Sequence, residues 1–464
     1  MCGIVGIFGH PESSTLAYLA LYALQHRGQE SAGIVTAQAS ELTRRAGMGH
    51  VADVFSRDLL GQLPGTAAVG HVRYSTAGDP NPANAQPFLL RDHRGPVAIA
   101  HNGNLVNAFA LRTELEDDGS IFQTTSDTET ILHLAARSQA PDAVDALVEA
   151  LRQVRGAFSL VILVPGRLIA VRDPFGWRPL SLGRLGGAWV VASESCAFDL
   201  LGAEHVRDLE RGEMVVVDVG GVHSFKPFGP ERRAHCFFEF VYFSRPDSLL
   251  FGESVQEVRK RLGQELFREY PLETDLVVPV PDSGVYAALG YARASGIPFD
   301  MGLVRNHYIG RTFIQPEQRI RELGVRRKHA ANAGVLRGKR IVLIDDSVVR
   351  GTTSRKIVQL VRDAGAIEVH MRIASPPIMH SDYYGIDTPE PGDLLAARNT
   401  LDEMCAGMGA DSLAFLSVDG IYRAIGMMDG RNNAAPQLAD HCFTGEYPTL
   451  LPDLQEYGAV RKCG

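Results

Sequence analysis

The second residue is a cysteine, and its position gives it two reactive groups at once. Removal of Met1 leaves Cys2 with a thiol and the chain's α-amine. An α-amine titrates at about 7.7–8.0 and a thiol at about 8.5. The amine can therefore take the thiol proton near neutral pH, directly or through a water, with no histidine required. Alone, Cys2 reads as a small buried residue at a strand start. Three polar clusters downstream change that reading: Gly70-His71-Val72-Arg73-Tyr74-Ser75-Thr76, His101-Asn102-Gly103-Asn104 and Thr124-Thr125-Ser126-Asp127. Singly, each suits a turn or a helix cap. Together they supply the parts needed to hold an α-amino acid and split its side-chain amide. Arg73 can grip an α-carboxylate by a two-pronged contact. Asp127 can pair an α-ammonium, and the Asn102 amide with the Gly103 backbone N–H can stabilise an oxyanion. Gly103 lets the backbone come close without a Cβ.

A second constellation lies in the other half: Arg340-Ile341-Val342-Leu343-Ile344-Asp345-Asp346-Ser347-Val348-Val349-Arg350-Gly351-Thr352-Thr353. An apolar strand ends in two carboxylates, a short hydroxyl- and glycine-bearing loop follows, and then a helix over 354–364. A helix start with free N–H groups is a phosphate site. Gly351 allows close approach, Thr352 and Thr353 add O–H donors, and two carboxylates suit the paired hydroxyls of a ribose. One loop can thus hold a sugar by its diol and by its 5-phosphate. A bare acidic pair would read as a solvated strand end, and the strand–loop–helix context decides against that. No G-x-x-x-x-G-K-[ST] loop occurs in the segment.

Elements of two kinds must position these residues. Up to about residue 225 short apolar or alternating runs predict strands at Gly3–Phe8, 67–72, 97–101, 159–164, 168–172, Ala188–Ala192 and 213–219. Helices fit 15–24 and 127–138, the second with Asp127 and Thr128 as caps and Glu129 in its first turn. The polar, proline-bearing stretch 226–235 reads as a linker. Beyond 250, an amphipathic helix over 254–270 precedes strands at 275–280, 341–344 and 369–373 that alternate with helices at 285–294 and 354–364. That rhythm predicts a mostly parallel sheet covered on both faces.

Composition excludes several classes. The chain has 464 residues, enough for two or three domains, with 45% hydrophobic and 22% charged residues, so it is not generally disordered. A net charge of −8 gives no electrostatic case for nucleic acid or anionic membrane. No apolar run reaches the about 20 residues of a spanning helix, and the amino end lacks the pattern of a signal peptide. Six cysteines without a C-x-x-C predict reduced thiols in the cytoplasm, with neither zinc ribbon nor dithiol redox site.

Cys2-Gly3-Ile4-Val5-Gly6-Ile7-Phe8 and Leu24-Gln25-His26-Arg27-Gly28-Gln29-Glu30-Ser31-Ala32-Gly33, with the three clusters above, resemble the glutaminase domain of the amino-terminal-cysteine amidotransferases. The resemblance spans residues 2–230. It implies a four-layer αββα sandwich of the Ntn-hydrolase type. It implies Cys2 as nucleophile and, through its amine, base. Arg27 would order the nucleophile region, Arg73, Thr76 and Asp127 would hold glutamine, and Asn102 and Gly103 would form the oxyanion hole. Residues 231–464 resemble type I phosphoribosyltransferases. There Asp345, Asp346, Ser347, Arg350, Gly351, Thr352 and Thr353 match the phosphoribosyl diphosphate motif. Pro279-Val280-Pro281-Asp282-Ser283-Gly284 fits the pyrophosphate loop, and 305–328, with Arg311, fits the basic catalytic flap. The resemblance places Ser283, Asp345 and Asp346 around a Mg²⁺–diphosphate complex, the two carboxylates touching metal, ribose or both.

The two halves in this order, with Phe240-Val241-Tyr242-Phe243-Ser244-Arg245-Pro246-Asp247-Ser248 at their junction, resemble the amidophosphoribosyltransferase family. That implies glutamine and phosphoribosyl diphosphate as substrates in the first step of purine synthesis. It also implies purine nucleotides as feedback inhibitors, a homo-oligomer (dimer or tetramer), and neither nucleic acid nor membrane as partner. Some members hold a [4Fe–4S] cluster. Here Cys236 and Cys442 fall at two of its ligand positions, while Asp382 and Ala439 take the others, so no iron–sulfur cluster is expected. Other amidotransferases, such as glucosamine-6-phosphate synthase or asparagine synthetase, would lack the 340–353 string. The alternative is a phosphoribosyl-diphosphate-sensing regulator retaining a glutaminase-like domain; the complete amino-terminal glutaminase set and the lack of a separate DNA-binding domain argue against it. A salvage transferase acting on free nucleobases would have no use for Cys2.

Overall fold

A computed structural model describes residues 1–74, 81–306 and 329–457. Thr76, Arg311 with most of the expected flap, and Cys463 lie outside the described residues.

The front half is built on two antiparallel sheets. Its strands run in chain order β1 (Gly3–Phe8), β2 (Ser31–Gln38), β3 (Glu41–Met48), β4 (Ala67–Arg73), β5 (Phe88–Asp92), β6 (Gly95–Leu105), β7 (Gly156–Val164), β8 (Arg167–Arg172), β9 (Ser181–Leu185), β10 (Ala188–Ala192), β11 (Glu204–Asp208), β12 (Met214–Asp218) and β13 (Gly221–Phe225). One sheet has the order β11-β9-β10-β1-β4-β2-β3 and the other β13-β12-β8-β7-β6-β5. Their facing sides pack Ile4, Val35, Val69, Ala100, Val161 and Val191 into one core. Helices Ser13–Ala23 and Cys196–Leu201 cover the first sheet, and Thr128–Arg137 with Ala143–Leu151 cover the second. The result is the αββα layering expected from the resemblance. Strands β1 and β7 are buried on both sides and read as continuous apolar runs, whereas the mostly polar β3 forms the sheet's exposed rim.

In the second half, β17 (Leu276–Pro279), β20 (Arg340–Asp345), β21 (Glu368–Ile373) and β22 (Ser412–Phe415) form a parallel sheet in the order β17-β20-β21-β22. Helices Val255–Glu269 and Val285–Ser295 cover one face, and Thr352–Asp363 with Leu401–Met408 the other. The first pair cross at two glycines. A Cβ on Gly263 would lie 1.8 Å from Ala287 O, and one on Gly290 1.9 Å from Lys260 O. Short strands flank this sheet: β15 (Leu249–Leu250) pairs β16 (Glu253–Ser254), and β18 (Leu303–Arg305) pairs β19 (His329–Ala331).

The stretch read as a linker is seated rather than free. Ala234 N donates to Phe175 O (3.0 Å) and Cys236 N to Trp177 O (3.0 Å). Strand β14 (His235–Cys236) then pairs β23 (Leu438–Ala439) in parallel. The halves also meet through Asn104 Nδ2 to Tyr383 O (2.8 Å) and Arg178 Nη2 to Tyr384 O (2.8 Å). Trp177 and Tyr384 stack with ring centroids 3.9 Å apart. No helix among the described residues is long and apolar enough to cross a membrane.

Candidate active sites

Cys2 sits at the start of β1 and is 7% exposed. Its backbone N–H donates to Asn102 Oδ1 (3.1 Å), and its Sγ lies 3.8 Å from Tyr74 O. Asn102 and Gly103 lie on β6, in the other sheet, so the sandwich itself brings Cys2 and the Asn102–Gly103 segment together. Asn102 Nδ2 is buried without a hydrogen-bond partner. A buried amide donor left unmade costs free energy unless a ligand meets it, and it stands beside the thiol-bearing residue. Gly103 is glycine of necessity: its φ is +157°, and a Cβ would lie 2.0 Å from Ala157 O. His101 braces the segment, its Nδ1 2.9 Å from Thr128 Oγ1 and its backbone N donating to Gln86 Oε1 (2.8 Å).

Met1 is 1% exposed. Burial, more than any nearby charge, pushes its amine down to about 5.

Arg73 ends β4 opposite Ser31, is 4% exposed, and pairs with Glu30. Asp127 corrects one expectation. It precedes the helix Thr128–Arg137 but caps none of its N–H groups; Thr128 N donates to Ser126 Oγ (3.3 Å) instead. The Asp127 Oδ2 accepts from Leu105 N (2.9 Å), which pins the carboxylate to the end of β6.

Arg27 is fully enclosed. Its Nε donates to Cys2 O (2.9 Å), and its fork meets Glu239 (Nη2 to Oε1 2.8 Å, Nη1 to Oε2 3.0 Å) and Glu194 (2.5 Å). Burial alone would lower its pKa, but Glu239 and then Glu194 reverse that and hold it charged. Glu194 also bonds His26 Nε2 (2.7 Å) and Ser248 Oγ (2.7 Å). These two acids were missed in the sequence because they lie 167 and 212 residues from Arg27. Glu239 was within reach, since it directly precedes the junction stretch.

In the second half, β20 ends at Asp345 and the next helix begins at Thr352, two residues earlier than its pattern predicts. Thr352 and Thr353 therefore lie in its first turn, where backbone N–H groups are unpaired within the helix. Gly351 at the cap has φ +70°, a left-handed conformation that favours glycine. Asp345 and Asp346 are each 7% exposed. Asp345 Oδ1 accepts from Asp346 N (2.9 Å), and Asp346 Oδ1 from Ser347 Oγ (2.5 Å). Burial pushes the Asp346 carboxyl up, against hydrogen bonds from Ser283 and Ser347. Ser283 of the 279–284 loop is thus at the acidic pair, and Arg305 pairs Asp282 beside it. Arg350 points outward, 61% exposed and 4.0 Å from Asp393.

Two domain families match this chain: a glutamine amidotransferase domain over residues 71–199 and a phosphoribosyl transferase domain over residues 250–374. An amidophosphoribosyltransferase of Rhizobium etli is 50% identical over 97% of this chain and 92% of its own length. The chain belongs to the amidophosphoribosyltransferase family. Members of this family with solved structures include the Bacillus subtilis glutamine phosphoribosylpyrophosphate amidotransferase complexed with ADP and GMP. It is 47% identical with a TM-score of 0.91, covering 97% of this chain and 98% of that one. A structure described as the allosteric regulatory enzyme of purine biosynthesis gives 48% identity and a TM-score of 0.92, covering 99% of this chain and 100% of that one.

Against the four-thiolate cluster of some family members, the residues present do not fit. Ala439, opposite Cys236, offers no donor. Asp382 is engaged at both oxygens, Oδ1 by the N–H groups of Tyr384 (2.8 Å) and Ile386 (2.7 Å) and Oδ2 by His441 Nε2 (2.9 Å). Only Cys236 and Cys442 remain as thiols there, and burial pushes both up in pKa, Cys236 to about 11.

Proposed function

We propose that this chain makes 5-phosphoribosylamine, glutamate and diphosphate from glutamine, water and phosphoribosyl diphosphate, the first step of purine synthesis. The carrying observation is one chain that sets a terminal thiol against an oxyanion segment and an acidic strand end against a helix N-terminus. Residues 2–230 act as the glutaminase and 231–464 as the phosphoribosyltransferase.

Cys2 attacks the glutamine carboxamide after its own amine has taken the thiol proton. Arg27 holds the Cys2 carbonyl and so fixes the nucleophile's backbone. Arg73, Thr76 and Asp127 hold the amino acid, and Asn102 Nδ2 with the Gly103 N–H receives the oxyanion. Ammonia leaves, and water hydrolyses the thioester. Ammonia then displaces diphosphate at C1 of the ribose with inversion. Ammonia escaping to water would be protonated, and the close approach of Gly385 to the Gly103 backbone (a Cβ on Gly385 would lie 3.0 Å from Gly103 O) suits a short, closed path.

The 345–353 loop takes the ribose 5-phosphate on Ser347, Gly351, Thr352 and Thr353, and Arg350 and Arg311 are the cations assigned to the same substrate. The donor set of Asp345, Asp346 and Ser283 is all oxygen, as Mg²⁺ prefers, and its buried carboxylates call for a cation. When bound, Mg²⁺ would neutralise charge on the departing diphosphate. No iron–sulfur cluster takes part in this reading: a colourless purified protein without iron is the expected result, and stoichiometric iron and sulfide would contradict it. Purine nucleotides inhibit, and the chain works as a cytoplasmic dimer or tetramer. The reading is tested by measuring glutamate and diphosphate release together. One-to-one release with glutamine supports it; glutamate release without diphosphate refutes it.

A further inference from the structure

Asn102 and Gly103 stand where their strand has lost a neighbour. Strand β5 pairs with β6 only as far as Phe88 and Ile99, while β6 runs on to Leu105 with β7 alone beside it. An edge strand presents backbone groups with no adjoining strand to pair them. Two side chains stand in for that strand. Gln86 Oε1 accepts from His101 N (2.8 Å), and His71 Nε2 donates to His101 O (3.1 Å). Both backbone groups of the residue before Asn102 are thus held by side chains. Gly33, paired with His71 across the sheet, makes room for the first of these, since a Cβ there would lie 2.2 Å from Gln86 O.

His71 is an unusual residue for its place. It lies in mid-sheet on β4, between Ile4 of β1 and Gly33 of β2, and is 0% exposed. Val69, two residues earlier and so on the same face, packs with Ile4 and Val35 into the core between the sheets. An apolar side chain would continue that core without burying a polar ring. The imidazole instead crosses to the other sheet. A carbonyl can only accept, so Nε2 carries the proton, and Nδ1 is left buried with no hydrogen-bond partner. A buried acceptor left unmade costs free energy. Burial pushes the imidazole down to about 3, so the ring is neutral and its tautomer follows from the bond that Nε2 makes.

We propose that His71 is a positioning residue of the glutaminase site, whose Nε2–H holds the His101 carbonyl and so sets where Asn102 and Gly103 stand relative to Cys2 and Arg73. The inference rests on the function proposed above. Strand β1 carries the nucleophile, β4 the grip on the α-carboxylate and β6 the oxyanion donors. Arg73 is two residues beyond His71 on the same face of β4, so the imidazole ties the donor strand to the strand that holds the amino acid. Glutamine is gripped at one end by Arg73, and its side-chain carbonyl must meet the donors at the other. Losing the tie leaves the grip in place and moves the donors. The loss therefore falls on kcat and spares KM. His71 acts through His101 and takes no proton.

The test compares wild type with His71→Gln, His71→Asn and His71→Leu. The amide nitrogen of glutamine reaches the place of Nε2, that of asparagine stops one carbon short, and leucine has no donor. Glutamate release from glutamine gives kcat and KM. His71→Leu and His71→Asn should lower kcat by about 10–100-fold, the effect of a small misplacement, with KM within about threefold. His71→Gln should keep kcat within about fivefold of wild type. Alkylation of Cys2 by iodoacetamide forms no oxyanion, so its rate should stay within about threefold in every variant. Ammonium-driven diphosphate release within about twofold of wild type reports a folded chain. If His71→Leu does not fold, the His71→Gln and His71→Asn pair decides. Equal losses in that pair, a loss carried by KM, or an alkylation rate that falls in step with kcat overturns the role. A wild type that releases no glutamate from glutamine overturns the function itself and is a separate result.

Discussion

Replacing Gly103 by alanine should nearly abolish use of glutamine while sparing use of ammonium. The added Cβ would lie 2.0 Å from Ala157 O and 2.8 Å from His101 Nε2. Real Cβ atoms do not approach backbone oxygen closer than about 3 Å, so the two strands must part by about 1 Å at this residue. Ala157 is on β7, inside the sheet, and pairs with Asn104 next to Gly103, so the displacement falls on the oxyanion segment itself. A hydrogen bond to the oxyanion of about 2.7–3.1 Å would open by that amount, beyond useful length, and loss of one such donor costs about 10²–10³ in kcat. Overpacking should also lower stability by about 1–3 kcal/mol. The assay is glutamate release with glutamine, set beside diphosphate release with ammonium. The first should drop by that factor, and the second should stay within about twofold. A glutamine-driven rate within about threefold of wild type, with the fold intact by circular dichroism, would refute the assignment of Gly103 to the oxyanion site.

Three further outcomes follow from the same geometry. Burial lowers the Met1 amine, and the Cys2 amine freed by removal of Met1 stands at the same buried strand start, so glutamine-driven kcat should fall, as pH drops, with a midpoint below the ordinary amine value. A fall centred at the ordinary amine value of about 7.7–8.0 would contradict the buried-amine base. Gly290→Ala drives a Cβ to 1.9 Å from Lys260 O and should destabilise the second half by more than the about 1–3 kcal/mol of ordinary overpacking, read by thermal unfolding; an unchanged melting temperature would show that the helix crossing yields freely. Asp346→Asn should cut diphosphate release with either nitrogen donor by about 10–100-fold and raise the Mg²⁺ concentration needed, as loss of groups around a metal does. An unchanged Mg²⁺ dependence would remove Asp346 from that role.

Both architectures were legible because their patterns are local. The apolar runs of β1, β7 and β20 are continuous, and each ends in chemistry-bearing residues. The rim strand β3 was missed because its sequence ELTRRAGM carries little apolar signal; it is held by pairing with β2 along its full length. The helix Ala108–Asp117 was missed for a similar reason, since tertiary contacts such as Phe109 N and Ala110 N to Asp453 carry its start. In the site, Cys2, Asn102 and Gly103 could be named because chemistry demands those residue types. The partners that aim them could not. Glu194 and Glu239 are ordinary acids in sequence, and only folding across more than 160 residues brings them to Arg27. Asp127 shows the opposite error: a residue type suited to capping whose carboxylate is held by Leu105 N instead.

The central claim is that Cys2 supplies ammonia to a separate phosphoribosyl site. It is tested most directly by Cys2→Ala, with diphosphate release measured first with glutamine and then with ammonium as nitrogen source. The account predicts that the glutamine-driven reaction is lost and the ammonium-driven reaction stays within about twofold of wild type, because no Cys2 atom takes part in displacement at C1. Loss of both reactions in a folded protein, or survival of the glutamine-driven one, would contradict it.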